Sequence, residues 1–538
     1  MSLIRFLSLS SLVFLVAPAC ADEPLHKQID QHIKAKAAGK PISPPTDDAE
    51  FLRRVSLDFQ GRIPSATEIR EFLADKSPDK RAKRIDQLVN GPDYPKRMAD
   101  QFHIMLMERM GENPKWTEYL LKAFTENRPW DRIAHEILKA DRENEATLGA
   151  AFFIAKRLDK VGQETTDFAG LTRDVGRIFL GKNLQCAQCH DHLFIDDYKQ
   201  EHFQGIFAYI QNVYIIDVKA PSVGEKATTE KVAFMSVFKK INRMTGPALP
   251  GEKETEPPVF KKGEEYTIAP NPKTKTPGVP KFSTLSLLAE QAANPANKDF
   301  ARNIANRLWF IMMGRGIVHP LDLHHSDNPP SHPELLDLLA KEFVTHKFDI
   351  KWFLREVALS ETYQRSSLLP EGETKSAPEL FLTAVERRLS ADQLLWSTLE
   401  AVGEREYLLK NPKPVEGAKV DLLTDTRAKF TQAFANAARE PEEEFTPSLR
   451  GTLFLLNSAL VQNSFTPRFG NLVERLSKMT DDDKTVDELY LSILTRLPSQ
   501  QEKDLALKHL KKRADQRTVA LGQFAWALLA SIEFSVNH

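Results

Sequence analysis

Cysteine is nearly absent from this chain of 538 residues: only Cys20, Cys186 and Cys189 occur. So few thiols exclude a disulfide-built scaffold and leave packing as the source of stability. No sign of charge dominates, with 73 Lys+Arg against 74 Asp+Glu and no sustained basic run. That balance speaks against nucleic acid or an anionic membrane surface as a partner. Long apolar runs are missing as well. The one near the N-terminus, Phe6 to Val16, is too short for a membrane span, and no later stretch reaches the required length.

What is present begins with an export signal. Arg5 supplies a positive n-region, the run Phe6 to Val16 an apolar core, and Ala19-Cys20-Ala21 an A-x-A cleavage site before Asp22. Cleavage there removes residues 1–21 and leaves 538 − 21 = 517 residues, enough for two or three domains. Ala17-Pro18-Ala19-Cys20 offers a poorer lipoprotein reading, in which Cys20 carries lipid. The expected destination is the periplasm, the cell envelope or the medium.

Helical periodicity governs the first part of the mature chain. Phe51, Leu52, Val55 and Phe59 fall on one helix face. Ser65 with Glu68 forms a capping box that opens the next helix. Further helices are expected at 79–90, 95–110, 115–127, 129–141, 166–185 and 198–211. Val213 to Ile216 and Ala233-Phe234 read as short strands. Eight prolines between Pro247 and Pro280 argue against helix there. Helical pattern returns from Thr284, with Phe300, Ile304, Leu308 and Ile311 as a stripe and Gly314 at the C-cap. Ser331 with Glu334 reads as a second capping box with Pro333 inside the first turn. A less regular stretch covers 408–448. Arg62-Ile63-Pro64-Ser65 to Glu68 is echoed by Arg496-Leu497-Pro498-Ser499 to Glu502, which reads as a reused helical corner.

The two cysteines left after cleavage share one pentapeptide, Cys186-Ala187-Gln188-Cys189-His190. This is the attachment pattern of c-type haem: two thiols for thioether bonds and a histidine for the proximal iron position. Met235, Met244, His103, His192 and His202 are the candidates for the opposite iron position. Two other chemistries suit the same residues. Zinc would use Cys186, Cys189 and His190 or His192, with Asp191, Asp196 and Asp197 nearby, and would need reduced thiols. A local CxxC disulfide is the third reading.

These segments together resemble the paired planctomycete secreted families DUF1549, the cytochrome-associated domain, and DUF1553. The first half matches in Phe51-Leu52-Arg53-Arg54-Val55, Gly61-Arg62-Ile63-Pro64, Asn127-Arg128-Pro129-Trp130-Asp131, Phe179-Leu180-Gly181 and the CxxCH with Asp191-His192. The second half matches in Asn306-Arg307-Leu308-Trp309, Gly314-Arg315-Gly316, Asn328 to Leu336, Ser360 to Gln364, Arg387 to Gln393, and the end from Trp526 to His538. Leu193 departs from the usual Pro, and Ala530-Ser531-Ile532 from a common Asn-Ser pair. The resemblance implies an exported protein with a cytochrome label and carries no established activity.

The remaining candidates read as structural. His332 packs or bonds locally at a helix start. His319, His324 and His325 with Asp322 and Asp327 read as a solvated loop, with metal binding as the rival. Trp309, Phe310, Trp352 and Phe353 read as core, and Arg387-Arg388 as a surface or salt-bridged pair. No nucleophile elbow, phosphate loop or zinc-protease helix is present. The expected architecture is mainly α: a signal at 1–21, a DUF1549-like helical domain with CxxCH at 22–212, a Pro-rich, partly β insertion at 213–280, and a DUF1553-like helical domain at 281–538. The leading functional reading is a c-type haem protein for periplasmic electron transfer, with a redox partner there. The alternative is a non-catalytic envelope scaffold whose CxxCH is a disulfide or metal clip. Oligomeric state is not legible.

Overall fold

A computed structural model describes residues 23–159, 166–274, 276–375, 377–410, 421–440 and 449–538. The expected signal segment with Cys20 lies outside the described residues, as do 411–420 and 441–448 of the less regular stretch. The described residues form 23 α-helices and eight short strands, the strands in four two-stranded antiparallel sheets. The fold is mainly α, with two helical domains and a strand-containing region between them along the chain. No helix among the described residues is long and apolar enough to cross a membrane.

Local chemistry explains most helix starts. Asp47 accepts from the backbone N–H groups of Ala49 and Glu50 and opens Asp48–Gln60. The Ser65–Glu68 capping box opens Ala66–Ala74. The echoed corner repeats this wiring in detail. Arg62 donates to the Ile63 carbonyl and to Glu68, and Arg496 donates to the Leu497 carbonyl and to Glu502. Ser499 forms the same box with Glu502. A buried or half-buried arginine thus closes the same helical corner twice.

One expected cap is corrected. The helix Pro333–Thr345 has His332, not Ser331, at its N-cap, with no side-chain cap bond. Pro333 occupies the first helical position and holds the preceding residue outside helical backbone space, so the cap falls on His332 and Ser331 lies one residue too early. Ser331 instead donates its N–H to the Ile317 carbonyl, and its hydroxyl meets His332 Nδ1 at 3.1 Å.

The apolar cores divide the chain differently from its sequence segments. One core runs from Leu25 to Leu382, taking helices from both halves, with Leu491 added. The other runs from Leu389 to Phe534 and draws in only Leu57 and Ile63 from the first half. Both cores meet along Asp48–Gln60. Arg53 on that helix is buried and donates to the carbonyls of Glu533, Phe534 and Val536. Its neighbour Arg54 donates to those of Tyr363, Arg365 and His538. Five-fold donor capacity on one planar group lets a single arginine satisfy several chain-end carbonyls that helices leave open.

The region between the domains is three hairpins. Val213–Asp217 pairs with Ser222–Glu225, Val232–Met235 with Asn242–Thr245, and Tyr266–Ile268 with Val279–Pro280. The middle hairpin matters most, because its tip lies against the CxxCH.

Candidate functional site

The helix Phe168–Leu180 carries the chain toward the pentapeptide and is held by charge from below. Its Arg177 pairs with Glu108 at 2.5 Å, Asp174 at 2.9 Å and Asp322 at 3.0 Å. Arg307 also binds Asp322. Gly181 ends the helix at φ +70, and a Cβ there would meet the His324 ring at 2.7 Å, so only glycine permits the close passage of the 322–324 loop. That loop is then tied on by backbone bonds: Asn183 N–H to the Asp322 carbonyl and His324 N–H to the Gly181 carbonyl.

This overturns the solvated-loop expectation for Asp322 and His324. Asp322 is buried as the shared acceptor of two guanidinium groups, and His324 is half-buried, with loss of solvation around its ring pushing its pKa down to about 3. His319 and His325 are likewise half-buried, and Asp327 is exposed as expected. His332 is buried against the Phe381 ring, and Trp309 and Phe353 are core as expected. Phe310 and Trp352 are half-buried, the latter stacked on His346.

Cys186–Gln188 forms a single 3-10 turn, with Ala187 pinned in the core. Burying the middle residue turns both flanking thiols outward. Cys186 and Cys189 are exposed and free, not joined to each other. Backbone and amide bonds fix the turn. Val237 N–H donates to the Cys189 carbonyl at 3.2 Å, Gln204 to the Gln188 carbonyl at 3.1 Å, and Arg173 to Gln188 Oε1 at 2.8 Å. Asp191 accepts from the Gln200 N–H and from Lys239, which hold its carboxyl below the usual range.

The histidines separate by what their ring nitrogens meet. A neutral imidazole has one lone-pair nitrogen. His192 spends it on Nδ1, accepting from the N–H groups of Phe194 and Ile195 to close a turn. In His103, Nδ1 accepts from Trp116, and burial lowers the pKa to about 4. His202 Nδ1 accepts from the Lys199 N–H. His190 differs. Its Nδ1 meets the Asp191 carbonyl at 2.7 Å, an acceptor only, so Nδ1 carries the proton and Nε2 keeps the lone pair.

The surroundings are apolar and outward-facing. Phe194 is 84% exposed and Phe238 63%, with Leu193, Met235, Val237, Ile241 and Met244 also exposed. The Phe238 ring lies 4.7 Å from that of His190. Met235 and Met244 stand on paired strands, on the hairpin face opposite buried Val232. The sequence reads Ala233-Phe234 as a short strand, and the structure extends it to Val232–Met235 and pairs it with Asn242–Thr245. The exposed tip's one sequence signal is apolar residues among lysines at 235–244, a pattern that neither helix nor buried strand explains. Among the described residues no group of three His, Cys, Asp or Glu side chains converges to hold a bare metal ion.

Comparison with known proteins gives two family matches, one in each half of the chain. Residues 28–214 match the family model PSCyt2, described as a protein of unknown function (DUF1549). Residues 286–510 match PSD1, also described as a protein of unknown function (DUF1553). Neither the curated proteins nor the solved structures contain a match. The chain therefore belongs with the proteins that carry a PSCyt2 (DUF1549) domain followed by a PSD1 (DUF1553) domain.

Proposed function

We propose that this is an exported redox protein that carries a c-type haem on Cys186, Cys189 and His190. The observation that carries the reading is the His190 ring: of the histidines near the motif or considered with it, it alone presents an Nε2 lone pair while Nδ1–H is anchored on a carbonyl. A carbonyl on Nδ1–H is the usual support for a metal-ligating imidazole, since it sets the tautomer and raises basicity.

The residues present fit the group. Two free, exposed thiols flank a buried alanine, so both sulfurs are accessible for thioether formation. Exposed Leu193, Phe194, Val237, Phe238 and Ile241 offer apolar surface next to them. Covering such a side chain is worth about 1.5–3 kcal/mol at full burial, which an apolar macrocycle would supply. When bound, the haem contributes one-electron chemistry at an iron whose potential its ligands and cover tune. The chain's own part is to orient the imidazole, exclude water with the hairpin tip and hold Asp191 ionised beside Lys239. His192, His103 and His202 each spend the Nδ1 lone pair on an N–H donor, so Met235 and Met244 of the hairpin are the residues that would supply a further ligand. A zinc clip lacks a converging third ligand among the described residues, and the thiols are unjoined.

The test is full-length protein from a host competent in c-type maturation. A haem-stained band and a pyridine haemochrome spectrum of the two-thioether type are expected. A colourless, exported and folded product with both thiols titratable would end the proposal.

A further inference from the structure

A second site lies where the two cores meet, away from the CxxCH. It is a cavity of about 390 Å³ lined by Arg97, Arg315, Arg387 and Arg388, with Glu386 and Asn537 among the other lining groups. That volume is at the small end of ligand pockets, about 300–1,000 Å³.

The charges do not cancel. Arg387 is paired with Asp58 at 2.9 Å, and Asp58 also accepts from the Tyr363 hydroxyl and from Asn537 Nδ2, so that carboxylate is saturated. Arg97 is buried; among the described residues its hydrogen bond goes to the Asp58 carbonyl, at 3.4 Å, and it forms no direct ion pair, although Asp58, Asp100 and Asp392 lie near enough to act on its charge. The nearby carboxylates Asp100 and Asp392 are engaged by Arg427, and Asp392 also by Arg109. Arg315 and Arg388 form no ion pair among the described residues. Three guanidinium groups therefore face one lining carboxylate, Glu386.

Two of the lining atoms bear on what the cavity could hold. Arg315 Nε is buried without a hydrogen-bond partner, and so is Asn537 Oδ1. A buried donor or acceptor left open costs about 1–3 kcal/mol, so each asks for a complement. The backbone is shaped to bring the guanidinium groups together. Gly314 sits at φ +76, where a Cβ would meet Arg387 Cδ at 2.5 Å. Asn306 clamps the following turn, donating to the Val318 carbonyl and accepting from its N–H.

We infer that this cavity binds a small hydroxylated oxyanion of the sugar-acid class. Its carboxylate or sulfate group would lie against Arg315, Arg388 and Arg97, where planar guanidinium forks match oxyanion geometry. A ligand hydroxyl would donate to Asn537 Oδ1.

The experiment is thermal unfolding of the full chain titrated with sodium glucuronate, sodium sulfate, glucose, and sodium chloride at matched ionic strength. A saturable rise in Tm with glucuronate is expected, absent with glucose and chloride. Saturation by sulfate too would identify the oxyanion as the main determinant and still support the site. In Arg315→Gln and in Arg388→Gln the saturable rise should be lost, whereas Glu386→Gln should reach half-saturation at a lower ligand concentration. That gain cannot come from misfolding. A rise that never saturates, or one unchanged in both arginine variants, would reflect general salting effects and overturn the inference.

Discussion

Around Cys189 the apolar side chains stand outside and the polar atoms turn inward to tie down backbone. At the junction of the two cores the arrangement is reversed: Arg97 is buried, Arg315 and Arg387 are half-buried, Arg388 reaches the rim, and apolar residues such as Phe310 and Ile311 form only part of the wall. The first region comes from two neighbouring stretches, 186–198 and 232–245, and is held by local backbone bonds. The second needs Asp58, Arg97, Arg315, Arg387 and Asn537, partners up to 479 residues apart. Both invert the ordinary distribution of polarity in a folded chain. The difference lies in what each inversion costs the fold. An exposed aromatic costs little, whereas a buried guanidinium without its carboxylate costs several kcal/mol.

Asp58→Ala should therefore have the largest effect, because it strands Arg387, the Tyr363 hydroxyl and Asn537 together. A loss of about 3–5 kcal/mol is expected in urea unfolding. A loss below about 1 kcal/mol would mean that the three donors find other partners, and the contrast between the regions would fail.

Acid should come next. His332 is buried and His103 and His324 are half-buried, and loss of solvation pushes their pKa values down, to about 4 for His103 and His332 and about 3 for His324. Their unfolded forms bind protons near pH 6.5 while the folded forms do not, so stability is intact above that pH and falls as pH drops below it. Each contributes at most about 1.4 kcal/mol per pH unit. Unfolding midpoints should decline already between about pH 6.5 and 5, before the carboxylates titrate. A flat profile there would contradict the desolvation of these three imidazoles.

Smallest is the effect of Cys186→Ser with Cys189→Ser on the haem-free chain. Both thiols are exposed, so the change should stay within about 0.5 kcal/mol by thermal unfolding. A loss of several kcal/mol would show that the thiols support the fold, and would erase the distinction between a surface site and an internal one.

The legible part of the molecule follows from short-range physics. Capping boxes at Ser65 and Ser499, the apolar stripe of Lys298–Met313 and the Gly314 cap all rest on spacings of four residues or fewer. The CxxCH stands out for the same reason, since its chemistry is contiguous. The Ser331 cap failed at a proline that moved the boundary by one residue. The solvated reading failed at Asp322 because its polarity suggests solvent, while its partners Arg177 and Arg307 lie in other helices.

From sequence alone came the helical class, the order of the two domains and the thiol–imidazole motif, because periodicity, caps and motif spacing act along neighbouring residues. Tertiary packing decided which imidazole keeps its lone pair, which hairpin leans on it, and which arginines share a cavity. Those outcomes depend on contacts between segments far apart in the chain, where side-chain identity states what can be bonded but not which partner arrives.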